Sequence, residues 1–242
     1  MISAITFDLW NTLITHISYN EIRFNFLVKY LERNKLIFNF KELKSHFDKF
    51  FTLERYNSNT NLNPIIINHI FTEDRIINLF NALKISLQQK EINLLKINFE
   101  KAIFKNPPKL KLNVKETLRK LASDYKIGLI SDVGISPGHF LRKIMKKYQI
   151  LQYFDTLIFS DEIGYYKPHP LLFETALKNL GVKPQNAIHI GDLLETDIQG
   201  ARNCNMLSVW INDLSIPRSV NIQPDYEIGQ ISEVINIIQN LK

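Results

Sequence analysis

Hydrophobic and polar positions along the chain fall into two regimes. Residues 2–8, ISAITFD, form a short apolar run closed by an acid, the pattern of a buried parallel strand whose carboxyl end opens on a site. From about Asn20 to Asn106 the period lengthens. The stretches EIRFNFLVKYLERN, FKELKSHFDKFFTLERY, EDRIINLFNALKI and LQQKEINLLKINFEKAIF each repeat apolar residues three or four apart, which predicts helices. Residues 57–64 make a polar break inside this region, and Pro107 with Pro108 ends it.

Beyond the prolines, strands and helices alternate. The expected order is helix 114–123, strand KIGLIS, helix 139–148, strand TLIFS, helix 168–180, strand AIHIGD, helix 197–203, strand MLSVWI and helix 231–241. Pro168 near the start and Gly181 just past the end mark the limits of the helix over 168–180. Such alternation predicts an α/β fold, a doubly wound parallel sheet carrying an all-helical insertion after its first strand. The expected division is a core of residues 1–15 and 108–242 and a helical domain of residues 16–107.

Composition narrows the function classes. With 242 residues, 45% of them hydrophobic, the chain can bury a sizeable core. Apolar stretches are broken by polar residues well short of the ~18 needed to cross a bilayer, and no basic leader precedes the first strand. One cysteine, Cys204, cannot form an internal disulfide and has no partner cysteines for a zinc site. A soluble cytoplasmic protein is expected, with no membrane partner. The net charge of +6 is concentrated: residues 16–107 hold 14 Lys plus Arg against 9 Asp plus Glu, the remainder 16 against 15. No aromatic residues are interleaved with a basic run, so the excess reads as solvated helix faces and not as a nucleic-acid surface.

Candidate chemistry collects after the strands, where open α/β sheets bind their ligands. The first strand ends in Asp8, the second in Ser131 and Asp132, the third is followed by Lys167, and the fourth ends in Gly191 and Asp192 with Asp197 five residues on. Each has a plainer reading: Asp8 and Ser131 as helix caps, Lys167 as a solvated lysine, Asp192 and Asp197 as acids at a helix N-terminus. Glu195 reads as a surface acid and His189 as a packed core histidine.

Taken in order, FDLWNTLI, ISD, GYYKPHPLLF and HIGDLLETDIQGA resemble the four motifs of the haloacid dehalogenase superfamily, and PDYEIGQISEV resembles the usual ending of its members. The helical insertion is similar to the cap that many members carry between the first and second motifs. The resemblance implies a hydrolase in which Asp8 is a nucleophile that forms an aspartyl-phosphate. Mg2+ would be held by Asp8, the backbone carbonyl of Trp10 and Asp192, with Asp197 orienting the metal shell. Lys167 would neutralise charge, Ser131, Asp132, Lys167 and Thr12 with nearby amides would bind the substrate's phosphoryl group, and Asn11 and Thr12 would shape the turn after the first strand. The implied partner is a small phosphorylated, anionic substrate, and the protein is expected as a monomer or homodimer. Substrate choice would lie in the cap, where Arg23, Arg55 and Arg75 are candidates that periodicity alone does not orient.

One position departs from the pattern. Family phosphatases place a second aspartate, a general acid, two residues after the nucleophile, and here Trp10 stands in its place. An aromatic residue there is a feature of the dehalogenase branch, which lacks the metal-binding acid supplied here by Asp192. Phosphatase chemistry is the leading expectation, because a carboxylate at a buried strand end is costly without a cation. A 2-haloacid dehalogenase and a catalytically impaired binding protein are the alternatives.

Overall fold

The computed structural model describes residues 1–52, 68–213 and 220–241. Strand β1 (Ala4–Phe7) is followed by four helices, α1 (Asn20–Arg33), α2 (Phe40–Phe51), α3 (Thr72–Ala82) and α4 (Gln89–Glu100). Then come α5 (Val114–Leu121), β2 (Lys126–Ser131), α6 (Gly138–Lys147), β3 (Thr156–Phe159), the single turn α7 (Ser160–Ile163) and α8 (Pro170–Leu180). The chain closes with β4 (Ala187–Gly191), α9 (Gln199–Asn203), β5 (Leu207–Ile211), β6 (Tyr226–Ile228) and α10 (Val234–Asn240). All neighbouring strands pair in parallel, in the order β3-β2-β1-β4-β5-β6.

Period-two alternation decides what each strand buries. Ile5 and Phe7, Ile127 and Leu129, and Ile188 and Ile190 point into a core shared with α5, α6 and α10. Ala4, Ile130 and Ala187 point to the opposite face, against α8 and Ala201 of α9. The sheet is therefore covered on both sides, as parallel sheets require. Every side chain of β1 is fully buried, and burial of Ile5 and Phe7 alone stabilises the fold by about 1.5–3 kcal/mol each.

The four helices between β1 and β2 build a separate apolar cluster around Leu27, Leu31, Leu43, Phe47, Phe51, Ile76, Leu79, Leu95 and Phe99. Phe47 stacks on Phe51 at 4.7 Å, and Phe99 meets Phe51 edge-on at 5.2 Å. The segments leading into and out of this helical unit run side by side: Thr15 N donates to Lys109 O at 2.8 Å and Lys111 N to Leu13 O at 2.9 Å.

Several boundaries shift from the sequence reading. Pro170, not Pro168, takes the first helical position of α8, where its missing N–H costs nothing. Gly181 does end that helix, in the left-handed region at φ 65°. The expected helix over 197–203 is a π turn at Leu194–Ile198 running into α9. Strand β6 was not expected; it has three residues with one fully buried apolar side chain, too short for a periodic signal. The polar break at 57–64 and Arg55 lie outside the described residues.

Candidate active site

The parallel order places β1 between β2 and β4, so the chain turns leaving all three strands meet at one end of the sheet. After β1 no helix begins. Leu13 N and Ile14 N both donate to Leu9 O, closing a tight turn in which Asn11 adopts φ 54° and its side chain accepts from His16 N at 3.1 Å. Asp8 is thus left at the strand end, 4% exposed, with no capping duty.

Lys167 ties the acids together. Its Nζ donates to Asp8 Oδ1 at 2.5 Å, to Asp197 Oδ1 at 2.6 Å and to the Ile130 carbonyl at 3.0 Å. Its backbone N–H donates to Asp132 Oδ1 at 2.9 Å, which fixes the loop that carries it. This is no solvated surface lysine: it is 2% exposed. Burial opposes its charge, but Asp197, Asp8 and Asp132 hold its pKa above the ordinary lysine range.

Asp197 is fully occupied. Besides Lys167 it bonds His189 Nε2 at 3.1 Å and accepts Leu193 N at 3.1 Å. Burial works against its charge, yet Lys167 and His189 bring its carboxyl down to about 2. A Cβ on Gly191 would collide with the Cβ and Cγ of Asp197, so only glycine lets this acid fold back onto β4. His189 lies in the core as expected, but it is a working core residue: its Nδ1 meets Thr6 Oγ1 at 2.9 Å. Burial lowers its pKa, opposed by Asp197. A neutral ring that donates to Asp197 and accepts from Thr6 satisfies both contacts.

Asp192, whose backbone carbonyl accepts from Trp210 Nε1 at 2.8 Å, completes a trio. Carboxylate oxygens of Asp8, Asp192 and Asp197 all lie within 4.8 Å of one another. Burial, with repulsion from Asp197, pushes Asp192 up to about 7 despite Lys167 and a hydrogen bond from Asn11. Burial likewise drives Asp8 well above the carboxylate range, with Lys167 pulling the other way. Three acids thus share one ammonium, and a divalent cation would supply the balancing charge. All-oxygen donors of this kind suit Mg2+ better than a softer metal.

These residues line a cavity of about 470 Å3, the size range of small-molecule sites. Asp8, Trp10, Asn11, Asp132, Lys167, Asp192 and Asp197 come from the sheet side, and Tyr19, Asn20, Arg23, Phe51 and Thr52 from the helical unit. Trp10 is partly buried, its ring edge-on to His16 at 5.8 Å. Ser131 and Thr12 are fully buried and do not line the cavity. Ser131 Oγ donates to the Asp132 carbonyl at 3.2 Å, and it caps nothing, since Pro137 holds the N-cap of α6. Arg75 is buried away from the cavity.

Sequence reasoning missed Ser136, the link from His189 to Asp197, and the inward face of Arg23. A signal existed for Arg23 alone: it falls four residues before Leu27 and eight before Leu31, on the apolar stripe of α1. The other two contacts are tertiary and left no trace in spacing.

Known proteins resemble this chain in sequence and in fold. Residues 37–211 match the sequence profile of the haloacid dehalogenase-like hydrolases, a span that begins after Asp8. A glyceraldehyde 3-phosphate phosphatase from Methanopyrus kandleri is 37% identical over 122 residues, 48% of this chain and 51% of that protein. The chain spans about half the length of the curated relatives it matches. Among solved structures, a 2-haloacid dehalogenase from Pseudomonas syringae superposes with a TM-score of 0.73 at 21% identity, covering 100% of both chains. A HAD phosphatase from Thermococcus onnurineus follows, with a TM-score of 0.66, 24% identity and 98% of both chains covered. At these identities the two structures speak for the fold.

Proposed function

The chain belongs to the haloacid dehalogenase-like hydrolase family, and on that premise we propose that it is a Mg2+-dependent phosphatase of small phosphate esters. The observation that carries this reading is the trio Asp8, Asp192 and Asp197 gathered around a single lysine at the sheet's switch point. An attack on carbon that expels a halide has no use for such a concentration of negative charge, whereas bringing a carboxylate to a phosphoryl group requires its neutralisation.

In this account Asp8 Oδ attacks phosphorus, the bond from phosphorus to the ester oxygen breaks, the alcohol departs with a proton taken from solvent, and an aspartyl-phosphate forms. Water then attacks the same phosphorus and releases the Asp8 carboxylate and inorganic phosphate. Asp8, Asp192 and the carbonyl of Trp10 would hold the metal, which supplies charge neutralisation between nucleophile and phosphoryl oxygens. Lys167 holds the Asp8 side chain in place and offers positive charge to the phosphoryl group. Asp197 and, through it, His189 fix Lys167. Asp132 sets the loop of Lys167. Ser131 and Thr12 would reach a phosphoryl oxygen only if the strand ends shift on binding. Trp10 offers no proton to the leaving oxygen, so turnover is expected to be slow.

Residues 16–107 would act as a cap over residues 1–15 and 108–242, since the helical unit closes one side of the cavity and joins the sheet through paired connections. No described helix is long and apolar enough to cross a membrane, and with a single cysteine the cytoplasm is the proposed location. The test is phosphate release from a panel of phosphomonoesters with magnesium and with a chelator. Release that chelation abolishes supports the reading, and release indifferent to chelation rejects the metal. Trp10 favours one rival, 2-haloacid dehalogenation. Halide release from a chiral 2-haloacid, with no phosphate release, would establish it.

A further inference from the structure

Arg23 lines the same cavity as Asp8 and Lys167 and is only 5% exposed, yet among the described residues no carboxylate pairs with it. Its contacts are neutral. Nε donates to the Phe99 carbonyl at 3.0 Å, Nη1 to Asn20 Oδ1 at 3.2 Å and Nη2 to Ser136 Oγ at 3.4 Å, while the guanidinium sits 5.5 Å from the Tyr19 ring centre. A guanidinium has five N–H donors. These three bonds leave one N–H on each terminal nitrogen, two further donors on a group that lines the cavity and suits a planar or tetrahedral anion.

Lys167, just as buried, is paired with two aspartates, whereas among the described residues the buried Arg23 and Arg75 meet no carboxylate. Of these two only Arg23 lines the cavity, and its neighbours make its position worse. Burial pulls its pKa down to about 10, Tyr19 opposes this, and Arg75 adds repulsion from nearby. It stays charged at neutral pH. Arg75, 4% exposed, is itself satisfied only by the carbonyls of Ile70 and Phe50, and its Nη2 has no partner. The cavity therefore has two chemically distinct walls, acids plus Lys167 on the sheet side and an uncompensated guanidinium flanked by Asn20, Thr52 and Ser136 on the other.

We propose that Arg23, framed by Asn20 and Ser136, binds a second anionic group of the substrate, a carboxylate or a second phosphate. The substrate class is then a small phosphate ester carrying a further negative charge within the span of a 470 Å3 cavity. This rests on the phosphatase reading for the reacting end only. Arg23 is a specificity residue and takes no part in the phosphoryl transfer.

The test uses the Asp8→Asn protein, so that ligands persist, in magnesium. Calorimetric titration compares 2-carboxyethyl phosphate, propane-1,3-diyl bisphosphate and the singly substituted propyl phosphate, three ligands of equal chain length. At least one doubly anionic ligand is expected to bind roughly 10- to 100-fold tighter than propyl phosphate, and which one does so separates carboxylate from phosphate recognition. Adding Arg23→Gln should bring all three within about threefold of one another, and Arg23→Lys, should the glutamine variant not fold, should lose most of the preference because an ammonium cannot fork. Equal affinities in the parent, a preference that survives these substitutions, or no binding by any ligand overturns the proposal. Phosphate release by the wild-type protein is measured alongside. Preferential binding without release would sink the phosphatase reading and leave the Arg23 site standing.

Discussion

Asp192→Asn separates what the acid trio does for the fold from what it does for a metal. Asp192 ionises near pH 7 in the folded protein, against an ordinary value of 3.8, because burial and the Asp197 carboxylate disfavour its charge. A group whose folded pKa is raised lends its full contribution below the unfolded pKa and loses it as pH climbs through the folded one. The window here runs from about pH 4 to pH 7. Above it, in chelator, the wild-type protein forgoes about 4 kcal/mol as an upper bound. Asparagine has the shape of the protonated acid and cannot ionise, so the variant should escape this loss. At pH 8 in chelator it should melt roughly 5–15 °C higher than wild type. At pH 5 the gap should shrink to a few degrees, and with millimolar magnesium only the wild type should gain stability. Differential scanning fluorimetry at the two pH values, with and without the ion, reads all of this. A variant no more stable than wild type at pH 8, or equally stabilised by magnesium, would refute the electrostatic reasoning.

Three further outcomes follow from named contacts. Gly191→Ala drives a methyl into Asp197 and should destabilise by about 1–3 kcal/mol while lowering turnover, read by melts and phosphate release. Trp10→Asp supplies the missing proton donor and should raise kcat by ~100-fold or more on poor leaving groups, in steady-state kinetics. If turnover does not change, proton transfer does not limit the reaction. Cys204 is buried, and burial pushes its thiol up to about 11, so at pH 8 about one molecule in a thousand carries a thiolate. Labelling by a disulfide reagent should be slow until the protein is unfolded.

Much of this architecture was legible in the chain because both periodicities are local. ISAITFD and AIHIGD announced buried strands, and the switch to a period of three or four between Asn20 and Asn106 announced the helical unit. What escaped was tertiary. Strand β6 exists only because β5 offers an edge for Tyr226–Ile228 to pair with. The start of α8 at Pro170 was masked by Pro168, since either proline fits a first helical turn. The motif residues Asp8, Lys167, Asp192 and Asp197 do converge, but spacing did not show that Lys167 would bridge Asp8 and Asp197, 159 and 30 positions away. Nor did it show that Ser131 and Thr12 would stand back from the cavity. Arg23 was one of three arginines left unoriented, although its place on the apolar stripe of α1 with Leu27 and Leu31 carried a signal for the inward face that the structure shows.

The central claim is that Asp8 receives the phosphoryl group beside an ion it shares with Asp192. A crystal structure grown with magnesium and beryllium fluoride tests this most directly. The account predicts a trifluoroberyllate on Asp8 Oδ, facing Lys167, with one metal ion in contact with both Asp8 and Asp192. A fluoride adduct on any other residue, or an ion that touches neither carboxylate, would contradict it.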